Sequence, residues 1–149
     1  MIVHHLGQTR FARQLTGEGA RLFGGRWNKI GQACIYTSEA RSLCVLEYAA
    51  NTSLYEIAND LAMTAYEIPD GHWQTFMPKQ LPEEWMELKV PSSTQEWGNK
   101  QLQNNLALRL PSAIIPHEFN IILNPLHHDF KKVHIKEVAS FTFDRRIKI

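Results

Sequence analysis

The sequence predicts an α+β fold: a single domain with mixed or mainly antiparallel sheets. Strand-like stretches are spread along the whole chain, while helical patterns cluster early and in the middle. No regular strand–helix–strand rhythm of a parallel sheet connects them. A length of 149 residues matches one domain around a single core.

Residues 2–6 are a short apolar run closed by Gly7, and "TRFARQL" after them leaves room for about two helical turns before Gly17 stops them. A glycine-rich stretch follows. Residues 33–37, "ACIYT", read as a buried strand, and Ser38 then serves as N-cap, with Glu39 in the first turn, of a helix running to about Asn51. Residues 62–68, "AMTAYEI", form another strand, ended by the turn Pro69-Asp70-Gly71. Beyond a polar, proline-containing stretch, Ser93 and Glu96 make the capping box of a helix through Trp97 and Leu102. "LALRL" alternates as a strand into Pro111-Ser112, and "NIILNP" and "SFTFD" are two further strands. Trp73, Trp85 and Trp97 are expected in core packing.

Composition narrows the functional classes. With 44% hydrophobic and 21% charged residues the chain is too apolar for disorder. No apolar run approaches the roughly 18 residues of a membrane span, and the first residues carry no secretory h-region, so a cytoplasmic protein is expected. The net charge of +1 comes without a basic stripe, and Lys131-Lys132 and Arg145-Arg146 are short clusters, which argues against direct nucleic-acid binding. Cys34 and Cys44 are too few for a disulfide framework or a zinc site and read as small buried hydrophobes.

Two places stand out chemically. "GEGARLFGGRWNKIG" places five glycines in fifteen positions, yet both standard phosphate loops fail there: Leu22 stands where a dinucleotide fingerprint needs glycine or alanine, and no G-x-x-x-x-G-K-[ST] occurs. What remains is a pliable backbone that presents Arg26 on a tight turn, suited to a phosphate or to a plain surface turn. On the following helix, at about 100° per residue, Ala40, Leu43, Cys44, Leu46 and Ala50 form an apolar arc with Glu47 in its middle. A core-facing carboxylate must be paired, hydrogen-bonded or open to a cleft, so Glu47 is either a site residue or half of a structural ion pair. Tyr36, ending the strand before this helix, reads as core packing when taken alone.

Taken together and in order, "TGEGARLFGGRWN", "IYTSEARSLCVLE", "LPSAIIPHEFNIILNP" and "FDRR" resemble the RES domain, the toxin half of bacterial toxin–antitoxin pairs. The resemblance runs from about Ile2 to Arg146 and implies that residues 1–149 are one such domain. It further implies a fold similar to ADP-ribosyltransferases, an enzyme that consumes NAD as substrate without a metal, and a Xre-like antitoxin as partner. A homo-oligomer within that complex is compatible with it. Matched motif by motif, the family's arginine, tyrosine, glutamate and serine are Arg26, Tyr36, Glu47 and Ser112. The resemblance assigns Arg26 to the pyrophosphate, Tyr36 to the nicotinamide end, Ser112 to a hydrogen bond with the dinucleotide and Glu47 to the ribose.

One departure stands in the first strand, where the family commonly has tyrosine-arginine and this chain has His4-His5. His5 is expected either to donate to the ribose or a phosphate, or to weaken the activity. Cleavage of the nicotinamide–ribose bond passes through an oxocarbenium-like state, which a carboxylate at the ribose hydroxyls stabilises; nicotinamide leaves neutral, so no protonating acid is needed. Water, phosphate or a protein side chain could each accept the ADP-ribosyl group. The alternatives are a protein ADP-ribosyltransferase and a catalytically silent binding module. A metal-dependent hydrolase on His127-His128-Asp129 with His117 or His134 is disfavoured, because adjacent histidines on a strand point to opposite faces and "NPLHHDF" reads equally as a polar loop.

Overall fold

The computed structural model describes residues 1–148. In chain order it contains β1 (Ile2–Gln8), α1 (Glu18–Phe23), β2 (Ile35–Ser38), α2 (Arg41–Asn51), β3 (Leu61–Glu67), β4 (Gln74–Thr75), α3 (Ser92–Leu102), β5 (Ala107–Pro111), β6 (Phe119–Leu123) and β7 (His134–Phe141). The strands join in one mixed sheet of order β4-β5-β6-β2-β1-β3-β7. β4 and β5 run parallel and every other neighbour is antiparallel. This is the α+β architecture expected from scattered strands and clustered helices.

The sheet is two ladders with a narrow seam. β3 pairs along its whole length with β1, from Ile2↔Glu67 to Gln8↔Leu61, and on its other edge with β7. β2, β6 and β5 form the second ladder. Between them, β1 and β2 pair at a single register position, His4 with Ser38. Paired residues share a sheet face, so His4, Tyr36, Ser38, Asn120, Ile122 and Leu110 point to one side. On that side α2 covers Leu6, Leu61 and Met63, and the glycine segment with α3 covers Leu108, Leu110 and Ile122. Val3, Tyr66, Ile121 and Leu123 fill the core of the opposite face. Two apolar clusters thus stand on either side of a polar strip along the seam.

Several local expectations change in three dimensions. "TRFARQL" makes only a 3-10 turn at Thr9–Phe11, because Ala12 is pulled into the core and its carbonyl accepts from the Thr64 hydroxyl at 3.2 Å. Within the glycine-rich stretch lies a helix, α1, bracketed by Gly17 at φ 66° and Gly24 at φ 71°. Ser38 is the last residue of β2 rather than an N-cap; Ala40 holds that position, and Glu39 leaves the helix to pair with Arg109. α3 begins at Ser92 behind Pro91, so the expected Ser93–Glu96 capping box is absent and Glu96 bonds Ser92 and Lys29. "SFTFD" contributes only the end of β7, whose earlier residues are largely exposed and alternate weakly. On α2, Leu43 and Cys44 are buried while Leu46 and Ala50 face solvent, so the true inward stripe is narrower than the predicted arc. Trp85 is buried, and Trp73 and Trp97 are partly buried against two core clusters. Among the described residues, no helix is long and apolar enough to cross a membrane.

Helix α3 approaches the glycine segment at Gly98, where a Cβ would lie 2.0 Å from the carbonyl oxygen of Trp27. In an exposed helix, exchanging glycine for alanine gains up to about 1 kcal/mol of propensity. Here backbone stands against backbone, and overpacking of that kind costs about 1–3 kcal/mol. Gly98→Ala is therefore expected to lower the urea midpoint; an unchanged or raised midpoint would show that α3 does not press on Trp27.

Candidate functional site

The loop that presents Arg26 is shaped by one hydroxyl. Tyr36 Oη accepts from the Trp27 amide at 2.9 Å and donates to Asn28 Oδ1 at 2.7 Å. Gly25 is required there, since a Cβ at that position would lie 2.5 Å from the same hydroxyl. Asn28, fully buried, passes the restraint on: its Nδ2 donates to the carbonyls of Ala20 at 2.8 Å and Gln32 at 3.0 Å. Arg26 sits between these anchors, half-buried, with Nη1 donating to the carbonyls of Trp85 at 2.7 Å and Glu87 at 2.9 Å. Burial pulls its pKa down, and the nearby carboxylate of Glu47, followed by Tyr36, pushes it back up. Arg26 and Glu47 therefore share one electrostatic environment.

Glu47 enters that environment from α2, which packs over β1 and β2. Its Oε1 accepts from Ser112 Oγ at 2.7 Å and from Asn120 Nδ2 at 2.5 Å. Both donors are themselves held. Asn120 Oδ1 accepts from the Ser38 hydroxyl at 2.7 Å, and Ser112 Oγ accepts from the amides of Ile114 and Ile115 at 3.0 and 3.1 Å. Hydrogen bonds to a charged acceptor contribute roughly 1.5–3 kcal/mol each, which offsets much of the desolvation of a half-buried carboxylate. All of the hydrogen bonds described for this carboxylate go to Oε1, so Oε2 is the oxygen left for a ligand.

His5 joins the site through the main chain, its Nδ1 lying 2.8 Å from the carbonyl oxygen of Tyr36. A carbonyl only accepts, so Nδ1 carries the proton and Nε2 of the neutral ring is an acceptor. Burial lowers the pKa of His5, with the Tyr36 carbonyl acting against it. His4, on the other face of the strand from His5 and so on the side of Ser38 and Asn120, is buried; its Nδ1 has no hydrogen-bond partner, and burial and then Arg41 lower its pKa against Glu137. Burial also raises the Tyr36 phenol far above its ordinary value and both cysteine thiols to about 12, leaving all three neutral. The cysteines are free and buried.

The structure thus joins Ser112 to Glu47 by a hydrogen bond, joins Tyr36 to the Arg26 loop and His5 to Tyr36, and links the two sets through charge, since burial lowers the pKa of Arg26 and Glu47 raises it. Ser112 is fully buried, with its hydroxyl engaged by Glu47 and two amides. Asn28 belongs to the network around the Tyr36 hydroxyl, and Ser38 and Asn120 to the one around Glu47; none of the three was expected from the sequence to serve the site. Only the pairing Ser38↔Asn120 across β2 and β6 identifies the last two, although a polar residue at the head of the apolar run "NIIL" was a local signal. Two surface cavities, of about 480 and 560 Å3, open elsewhere, beside Tyr55 and Arg145 and beside Asn124 and His127. His127 and His128 lie in a turn rather than on a strand, so strand alternation does not separate them. Their rings stack at 4.2 Å, and their ligand atoms and that of Asp129 lie within 4.8 Å of one another. Asp129 is already paired with Lys132 at 2.9 Å, as in an ordinary polar loop.

Comparison with known proteins first defines the class. The fold is similar to that of the MbcT toxin in the M. tuberculosis MbcT–MbcA toxin–antitoxin complex, with a TM-score of 0.73 over 95% of this chain and 84% of that one, at 17% identity. Residues 2–145 match the RES domain, and the chain belongs to that family. It is 34% identical over 152 residues to Toxin Res of Photorhabdus laumondii subsp. laumondii, covering 99% of this chain and 97% of that protein. It is 30% identical to a Prs ADP-ribosylating toxin of Sphingobium sp., covering 94% and 90% of the two chains.

The two histidines of β1 make stability depend on pH. Folding lowers both pKa values below the ordinary 6.5, so the unfolded chain binds more protons once the pH falls through that value. The stability contributed by the neutral rings is present above about 6.5 and is lost on acidification. The urea midpoint is expected to be lower at pH 5.5 than at pH 7.5, and His4→Asn combined with His5→Asn should flatten that difference; an equal slope in the double variant would remove these rings as its cause.

Proposed function

We propose that the chain is the toxin of a toxin–antitoxin pair and that it breaks the nicotinamide–ribose bond of NAD. The observation that carries this reading is Glu47, a carboxylate held on one oxygen by Ser112 and Asn120, with the other unbonded and the Arg26 guanidinium close enough to feel its charge. A carboxylate and a guanidinium each held in place suit a dinucleotide, whose pyrophosphate is anionic and whose ribose becomes cationic during cleavage.

In the reaction, the bond between C1′ of the ribose and the nicotinamide nitrogen breaks, and its electron pair leaves with neutral nicotinamide. Positive charge spreads over C1′ and the ring oxygen, where Glu47 Oε2 at the ribose hydroxyls stabilises it. Arg26 holds the pyrophosphate, and the Tyr36 ring shapes the nicotinamide end while its hydroxyl keeps the arginine loop in place. Ser112 acts through Glu47, and His5, whose Nε2 lies toward Gly7 on the other face of β1, acts only by holding the Tyr36 carbonyl through Nδ1. An acceptor oxygen then bonds C1′ and releases its proton. No metal takes part in this scheme. Free NAD is the favoured target, with water or inorganic phosphate as acceptor. The Sphingobium relative, named as ADP-ribosylating, favours transfer to a protein as the second reading. A free NAD-consuming enzyme needs restraint in its own cytoplasm, and the similar MbcT was solved with an antitoxin. A Xre-like antitoxin fits that role here, together with a near-neutral toxin that leaves any DNA binding to it.

Glu47→Gln is expected to keep the fold and NAD binding while lowering turnover roughly a hundredfold or more, followed as NAD loss by chromatography. Wild-type turnover in that variant would remove Glu47 from the chemistry. Labelled NAD incubated with and without phosphate and cell extract separates the three acceptors. Asn120→Ala leaves Oε1 with one side-chain donor and should lower kcat about tenfold with little change in KM; a change confined to KM would place Asn120 in substrate binding instead.

A further inference from the structure

We infer that Trp85 is a positioning residue for Arg26, holding the guanidinium through its own main-chain carbonyl with one edge free for a phosphate. Residues 81–90 contain no helix or strand that could hold a carbonyl in place. Ring packing does so instead. Trp85 is 5% exposed, and its ring stacks on Trp27 at 6.0 Å and 24°, while Trp27 packs against Trp97 at 5.6 Å. Two successive turns, Trp85 amide to Pro82 carbonyl at 3.1 Å and Glu87 amide to Glu84 carbonyl at 3.1 Å, then point the carbonyls of Trp85 and Glu87 at one atom, Arg26 Nη1.

Nη1 has two hydrogens, and the two carbonyls take both. Among the described residues, no hydrogen bond leaves Nε or Nη2. A guanidinium presents a phosphate with parallel N–H bonds along an edge, and the Nε–Nη2 edge is the one left open. Trp27 thereby serves the arginine from both sides: its amide is fixed by Tyr36 Oη, and its ring is the platform for Trp85. An arginine held this way in the free protein does not have to lose rotamer freedom when the ligand arrives. Substrate affinity is therefore set partly by a tryptophan that need not touch the substrate.

The test reads the arginine itself as well as binding. In nitrogen-edited NMR spectra, the Arg26 guanidinium of the free wild-type protein, assigned by its loss in Arg26→Ala, should show the slowed rotation of a held group. Trp85→Ala should abolish that signature and weaken ADP-ribose binding about tenfold, and Trp85→Phe should restore both. In an Arg26→Ala background, Trp85→Ala should weaken binding no further. If Trp85→Ala does not fold, Trp85→Leu keeps the apolar filling without the flat stack. An Arg26 signature that survives loss of the ring, or an equal loss of affinity with and without Arg26, would overturn the inference. Its affinity arm rests on the proposed NAD reading, whereas the NMR arm does not. A wild-type protein that binds no ADP-ribose would count against that reading alone and leave the decision here to the guanidinium signal.

Discussion

The Tyr36 hydroxyl is the group on which the rest of the site depends. It takes a hydrogen bond from Trp27, gives one to Asn28 and closes against Gly25, so its contacts at positions 25, 27 and 28 bracket Arg26. Tyr36 is partly buried with a neutral phenol, and each partner is deeply placed: Trp27 is 2% exposed and Asn28 is fully buried. Losing any one of them leaves a buried polar group unpaired, which costs about 1–3 kcal/mol, a large share of a domain's net stability. Folding and site geometry are therefore restrained by the same bonds.

The second restraint comes from the seam between β1 and β2. Where two strands pair at one register position, the neighbouring residues are freed from a ladder and can form side-chain contacts instead. His5, next to the paired position, uses its ring to engage the Tyr36 carbonyl, while Ser38, still paired with Asn120 in the β2–β6 ladder, uses its hydroxyl to orient that side chain toward Glu47. Apolar clusters on both sides keep this polar strip short. The carboxylate of Glu47 can then stand half-buried without a direct ion pair, because Ser112 and Asn120 supply the hydrogen bonds that water would otherwise give.

Local pattern was most informative where burial follows a simple period. β2, β3, β5 and β6 lie close to the apolar runs that predict them, and α2 starts within a few residues of its expected place. It failed where a polar side chain has a distant partner. Ser38 and Ser93 both look like helix caps, but Ser38 is taken by Asn120, 82 residues away, and α3 starts one residue before Ser93 behind a proline. Leu46 and Ala50 fit the apolar arc of an isolated helix, yet the surface covered by α2 is narrower than that arc.

By itself the sequence determined the class of fold, through the order and short-range periodicity of its apolar runs, and its motifs identified the family; the resemblance carried by those motifs is what put forward Arg26, Tyr36, Glu47 and Ser112 as candidate site residues. Only the tertiary structure decided what those side chains touch: that the Tyr36 hydroxyl pins the arginine loop, that Ser112 and Asn120 converge on one oxygen of Glu47, and that Trp85 reaches Arg26 across 59 residues. Hydrogen bonds are directional and short-ranged, so their partners are set by strand register and ring packing, which no local pattern of residues encodes.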